Sequence, residues 1–297
     1  MTVQELDGLI ELLTARPQPE NPTPGEMRER FDKLAQFLPL PNDAQVTAVD
    51  AGGVPSEWVS APGVSGDRVI FYLHGGGYVI GSVTTHRRLA YDFSKAADAR
   101  VLVVDYRLAP EHPYPAAVED AVAAYRWLLG QGTSPSNIAI AGDSAGGGLT
   151  MATLVSLRDR KIDLPACAVP MSPWVDLEGV GDSMTSKHDV DPMVQKAGLD
   201  RMAAFYVGDA DYRDPLVSPM HADLSGLPPL LIQVGTRETL LDDARRLHEK
   251  ALADGVISSL EEAGGMVHVW HLFAPMLSEG RDAIDRAGAF MKTHAVG

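Results

Sequence analysis

One cysteine in 297 residues excludes an internal disulfide, and with it the small secreted scaffolds that several such bridges hold together. That residue, Cys167, lies in an apolar run and reads as a small core side chain. Basic residues are also scarce. The 25 Lys and Arg face 40 Asp and Glu, a formal net charge of -15 that argues against nucleic acid and anionic membrane surfaces as partners. No apolar run is long enough to cross a bilayer, and residues 1–7 show neither the basic nor the apolar region of a secretory signal. A soluble, cytoplasmic protein is the expectation. What remains is ordinary: 45% hydrophobic and 22% charged residues suit one large α/β domain, or two small ones, with a sizeable core.

Residues 1–42 read as a separate N-terminal helical segment. Leu6, Leu9, Ile10 and Leu13 recur at helical spacing, as do Met27, Phe31, Leu34 and Phe37. Between them runs Arg16-Pro-Gln-Pro-Glu-Asn-Pro-Thr-Pro24, which no helix tolerates. Residues 44–60 suggest short antiparallel edge strands around a Gly-Gly turn. From there the pattern alternates, with strand-like runs at 68–73, 101–105, 138–141, 166–171, 230–234 and 258–261. Helical patterns separate them near 85–98, 115–129, 147–160, 239–254 and 270–293. This is the signature of an α/β fold, a mostly parallel central sheet with helices on both faces. Sites in such sheets lie beyond the carboxyl ends of the strands. Residues 173–229 exceed what one crossover helix needs and hold Trp174, Met184, Met193, Met202, Phe205 and Tyr206. They read as a helical lid; the plainer alternative is a surface insertion packing its own small cluster.

The chemistry gathers at strand ends. The run Ile138–Ala141 ends in Gly142-Asp143-Ser144-Ala145-Gly146, followed at once by a helical pattern. Strand, sharp turn and helix put a serine hydroxyl at the tip, and the flanking glycines allow the turn. Alone, this five-residue pattern is a common accident. However, His74-Gly75-Gly76-Gly77-Tyr78 stands at the end of an earlier strand, where consecutive glycines turn backbone N–H groups toward a ligand. Gly76, Gly77 and Ala145 are thus the candidate oxyanion donors, and His74 reads as an architectural side chain. A base should come late in the chain. His268, in the loop after the last strand, fits better than His248 on a helix, His294 in the tail, or His271 one turn further on. For the acid, Glu238 lies beyond the strand 230–234; Asp242 and Asp214 are the alternatives, and Asp143 reads as structural.

In this order and spacing the motifs His74-Gly-Gly-Gly-Tyr78, Gly142-Asp-Ser-Ala-Gly-Gly147, His268-Val-Trp-His271 and Tyr106-Arg-Leu-Ala-Pro-Glu-His-Pro-Tyr-Pro115 resemble the hormone-sensitive-lipase-like group of α/β-hydrolases, the bacterial family IV esterases. The resemblance runs from about residue 65 to the C-terminus. Many members carry Asp-Pro-Leu where this chain has Glu238-Thr239-Leu240, although part of the family has Glu there. The resemblance implies an α/β-hydrolase domain over 43–297 and a helical cap built from 1–42 and an insertion at about 178–213. It also implies a serine carboxylesterase for short- to medium-chain acyl esters, with lactones a second substrate class. Ser144, Glu238 and His268 would be the catalytic residues, and Tyr78, Trp174, Met184, Phe205 and Tyr206 are candidate pocket walls. Such chemistry calls for no cofactor and no metal, since His268-x-x-His271 lacks further ligands. The partner expected is a small-molecule ester; a homodimer is compatible with the fold and not required by it. The rival reading is a non-catalytic ligand-binding protein of the same fold.

Overall fold

The strand Val69–Leu73 (β3) shows why the core runs read as they do. Its Val69, Phe71 and Leu73 enter one apolar cluster and its Ile70 and Tyr72 the other, so a strand apolar at both phases is buried on both faces. The structure, a computed structural model, describes residues 3–15, 22–64 and 67–296. Its other strands are β1 (Gln45–Asp50), β2 (Pro55–Ser60), β4 (Arg100–Val104), β5 (Ile138–Asp143), β6 (Cys167–Met171), β7 (Leu230–Gly235) and β8 (Ser258–Ala263). They form one sheet in the order β1-β2-β4-β3-β5-β6-β7-β8. Pairing is antiparallel at β1–β2 and β2–β4 and parallel from there on.

Helices α3 (Val83–Ala97) and α9 (Ser278–His294) cover one face, joined by Leu6 and Leu9 of α1 (Val3–Thr14). On the other face lie α4 (Ala116–Gly130), α5 (Ala145–Asp159) and α8 (Leu241–Ala253). The same apolar cluster takes in Leu199, Ala203, Tyr206 and Val207 of α7 (Lys196–Val207), which with the short α6 (Ser183–Ser186) forms the helical part of the long insertion. The chain leaves β3 for β4 on one side and returns to β5 on the other. The loops after β3 and β5 therefore open a crevice at the carboxyl edge, with Leu73 and Gly142 paired beneath it.

Helix α2 (Pro24–Ala35) begins with a capping box between Thr23 and Glu26, which satisfies two of its free backbone donors. Its Arg28 docks it. The guanidinium donates to the carbonyls of Val79 (2.8 Å) and Ala109 (3.0 Å) and to both carboxylate oxygens of Glu111 (2.9 and 2.6 Å). Phe37, expected on the same helix, lies past its end and is 48% exposed. Of the Pro-rich link, residues 16–21 lie outside the described residues. The helix expected over 270–293 is interrupted: a 3-10 turn, Trp270–Phe273, precedes α9, because Pro275 has no N–H to continue it. No described helix is long and apolar enough to cross a membrane.

Candidate active site

Ser144 sits between β5 and α5 with φ 54 and ψ -122, outside the regions a serine favours. The turn is held by its own backbone: Ser144 N–H donates to Met171 O (2.8 Å), and its carbonyl accepts from Trp174 N (2.9 Å). The flanking glycines are required by contact. A Cβ at Gly146 would stand 2.5 Å from the His74 carbonyl oxygen, and one at Gly142 2.6 Å from that of Leu73. Gly146→Ala should therefore cost at least about 3 kcal/mol, the upper end for a forced overpacking, read as a lowered urea midpoint. An unchanged midpoint would mean that β3 and α5 can part without penalty. Of the six non-glycine residues with φ between 44 and 62 among the described residues, four cluster here: Tyr78, Ser144, Ser172 and Val269. Such strain persists only where its surroundings fix it, and it concentrates at functional sites.

The loop after β3 packs on the turn that carries Ser144: a Cβ on Gly75 would overlap Asp143, and one on Gly146 would overlap the carbonyls of Leu73 and His74. Gly76 has φ 122, a value open to glycine alone, and its carbonyl accepts from Val79 and Ile80. Among the described residues, no acceptor is bonded to the N–H groups of Gly76, Gly77 and Ala145. Ala145 N–H is also the first donor of α5, so the helix dipole adds to its pull on a negative charge. Below, the fully buried Asp143 organises this loop by accepting from Gly75 N (3.0 Å) and Tyr72 Oη (2.6 Å), with His86 Nε2 at 3.4 Å. Burial alone would raise its pKa, but His86, Tyr72 and His74 outweigh it and hold the carboxyl at about 2. His74 stacks on Tyr106 at 4.3 Å, and burial together with His86 pushes it down to about 3. It is a neutral strut, and its Nδ1 lies 2.9 Å from Gly75 O.

Glu238 follows β7 and is fully buried. Its Oε1 accepts from Ser172 Oγ (2.7 Å) and Gly235 N (2.6 Å), and its Oε2 lies 2.8 Å from His268 Nδ1. That contact puts the proton on Nδ1 and leaves the lone pair on Nε2. Burial lowers the His268 pKa, yet the charge and hydrogen bond of Glu238 outweigh it, and the imidazole ends above its ordinary value. Burial raises Glu238 in turn, against the pull of His268, Ser172 and Gly235. The two halves of the site meet at one peptide. Met171 O holds Ser144, while Ser172 Oγ holds Glu238 and accepts from Val269 N (3.1 Å), next to His268. Among the described residues Ser144 Oγ makes no hydrogen bond, while His268 engages Glu238 through Nδ1.

The alternatives are engaged elsewhere. Asp242 accepts from Ser183 N (2.8 Å), and Asp214 from Leu216 N (2.8 Å). His271 is buried with Nε2 on Gln233 Oε1 (2.9 Å), His248 faces Ser258 Oγ (2.9 Å), and His294 lies over Phe290 on α9. His271 thus shares no ligand geometry with His268. Asp176, Glu178 and His221 could between them hold a metal ion, but Arg246 on Asp176 (2.6 Å) and Arg213 on Glu178 (3.0 Å) already supply the positive charge. Tyr78, Trp174 and Tyr206 form one buried aromatic group, with Tyr78 stacked on Tyr206 at 3.7 Å and 6.2 Å from Trp174. Met184 is buried in the same apolar cluster, and Phe205 packs half-buried against it.

One side chain at the site, Ser172, escaped the sequence reading, and another, Met202, was placed only in the lid segment and not at the site. Ser172 follows the end of β6, beside the strands that carry the motifs, a position that could have flagged it. Met202 of α7 had no such signal beyond being apolar; a Cβ on Gly77 would overlap its thioether, so the insertion lies directly on the loop after β3.

A sequence profile for the α/β-hydrolase fold matches residues 70–272. The chain is 51% identical over 245 residues to an acetyl-hydrolase of Streptomyces hygroscopicus, covering 82% of each protein. It is 34% identical to an esterase of Acinetobacter venetianus, covering 94% of this chain and 92% of that one. Among solved structures, an esterase from the bacterial hormone-sensitive lipase family superposes with a TM-score of 0.97 at 49% identity, covering 99% of both chains. Another, the esterase EstE5 soaked with p-nitrophenyl butyrate, gives 0.95 at 49% identity, again over 99% of both.

Proposed function

Because the chain belongs to the α/β-hydrolases, and within them to the hormone-sensitive-lipase-like esterases, it is a carboxylic ester hydrolase, and we propose that it works through an acyl-enzyme on Ser144. The observation that carries this reading is that the N–H groups of Gly76, Gly77 and Ala145 meet no acceptor among the described residues, Ala145 directly after Ser144 and the glycine loop tied to the same turn through Asp143. In the proposed cycle His268 Nε2 takes the Ser144 proton as Oγ attacks the ester carbonyl. The carbonyl oxygen becomes an oxyanion held by those three donors. Glu238 fixes the imidazole tautomer and stabilises the imidazolium, which then gives its proton to the departing alcohol. Water then attacks the acyl carbonyl as His268 takes its proton, and the imidazolium returns that proton to Ser144 Oγ as the acyl–oxygen bond breaks and the acid leaves. Each oxyanion donor is worth roughly 2.7–4 kcal/mol in comparable sites.

We propose short acyl esters as substrates. The acetyl-hydrolase relative and the butyrate ester soaked into EstE5 favour them. So does the closed aromatic group of Tyr78, Trp174 and Tyr206 behind the loop, with Met184 and Phe205 as further walls. Across p-nitrophenyl esters, kcat/KM should peak at the acetate to butyrate members and fall at least about tenfold by the decanoate. Methylenes driven against a closed, packed wall must displace its side chains, and such overpacking costs about 1–3 kcal/mol. A flat profile to the dodecanoate would contradict this size limit while leaving the ester chemistry untouched. We further propose that residues 1–42 and the insertion at about 178–213 act as the cap over the catalytic domain; Arg28 on Val79 O and Met202 on Gly77 support this.

A further inference from the structure

Asp191 belongs to the insertion, yet the residue is only 5% exposed and both of its carboxylate oxygens are hydrogen-bonded. Oδ1 accepts from Met193 N (2.9 Å) and Val194 N (3.0 Å), closing the local turn after Asp191-Pro192. Oδ2 reaches out of the insertion to Thr239, accepting from its N–H (2.8 Å) and its Oγ1 (3.3 Å). Thr239 is the residue next to Glu238. A second tie lies on the same loop: Ser183 Oγ donates to Thr239 O (2.6 Å) and accepts from Asp242 N (3.0 Å), while Ser183 N donates to Asp242 Oδ2 (2.8 Å). The peptides that follow Glu238 are thus fastened to the insertion rather than to the sheet.

We propose that Asp191 is a positioning residue, through which the insertion holds the loop that presents Glu238 to His268. It rests on the reading of Glu238 and His268 as acid and base given above. Two physical effects follow from its place. The hydrogen bonds to Thr239 fix the backbone carrying Glu238, and a misplacement of 1 Å can cost about 10²-fold in rate. The charge also acts on the base. His268 faces Glu238 at 2.8 Å, with Asp191, Asp143 and His271 the other titratable groups acting on it, and the negative charge of Asp191 favours its protonated form.

The sign is then fixed. Removing the charge of Asp191 lowers the pKa of His268, so the acid limb of kcat/KM, which rises as the imidazole deprotonates, moves to lower pH. The test compares Asp191→Asn with Asp191→Ser in the full chain. Asn is nearly isosteric but uncharged; Ser can still cap the local turn but is too short to reach Thr239. Both should lower kcat by about 10- to 100-fold, move the acid limb down, and lower the His268 pKa followed by its imidazole resonance. Asp200→Asn, which breaks only the exposed Lys196–Asp200 pair on α7, should do none of these. Folded Asp191→Asn and Asp191→Ser with a wild-type rate and an unmoved limb would overturn the proposal. Glu238→Gln serves as reference: if it moves the limb and neither Asp191 variant does, Asp191 alone has been misread. If Glu238→Gln also leaves the limb in place, the acid–base pair itself is wrong.

Discussion

Replacing Ser144 by Ala should lower kcat for ester hydrolysis by about 10⁶-fold, the scale seen when a serine hydrolase loses its nucleophile. A residual rate, some 10³-fold or more over water, should persist from the oxyanion donors and binding alone. The fold should not suffer. The hydroxyl has no hydrogen-bond partner among the described residues, and the contacts that shape the turn are backbone ones, Ser144 N to Met171 O and Trp174 N to Ser144 O. An unchanged melting temperature with lost turnover separates chemistry from stability. A variant retaining even a tenth of the wild-type rate would remove Ser144 from the mechanism.

The second large effect concerns the acid. Glu238→Gln should cost about 10⁴-fold in kcat: Ser172 Oγ and Gly235 N hold the amide oxygen, so the NH2 group faces Nδ1, favours the wrong imidazole tautomer and gives no charge to the imidazolium. Burial lowers the His268 pKa and Glu238 raises it, so without the carboxylate burial is opposed only by the lesser pull of Asp191 and Asp143. The remaining activity should then show its acid limb at lower pH than the wild type, whose own limb should lie above about 6.5, the ordinary histidine value. Asp242→Asn is the contrast. Asp242 bonds Ser183 of the insertion and no part of His268, so its loss should reduce the rate by less than about tenfold. A steep fall in Asp242→Asn with a near-normal Glu238→Gln would reverse the assignment.

The parts of this site that were legible in the sequence share a property: their chemistry is written in consecutive residues. A strand that stops at Gly142-Asp143-Ser144-Ala145-Gly146 needs its glycines because β3 lies against them, and the close approach of Gly146 to His74 O is what that spacing encodes. Glycines at 75–77 encode a loop that must show its N–H groups. The regular strand runs were legible for the same reason, since both phases of β3 and β5 are apolar. What stayed hidden depends on residues far apart in the chain. Asp191 meets Thr239 only because the insertion folds back over β7, and an Asp-Pro dipeptide in a loop carries no mark of that. Ser172 bonds Glu238 and Val269 through strand order, which no local pattern specifies. Arg28 was one charge on an amphipathic helix until Val79 O and Glu111 met it. In the break before α9 the helical spacing of apolar residues continued through Pro275, and the missing N–H prevailed over the pattern.

The central claim is that the hydroxyl of Ser144 becomes covalently acylated. A fluorophosphonate probe followed by peptide mass spectrometry addresses it directly, since the tetrahedral phosphorus adduct occupies the place of the proposed intermediate. The expected result is a single adduct on Ser144, formed quickly in the wild type, slowly in Glu238→Gln, and absent in Ser144→Ala. An active enzyme that takes up no label, or carries it on another residue, would contradict the account.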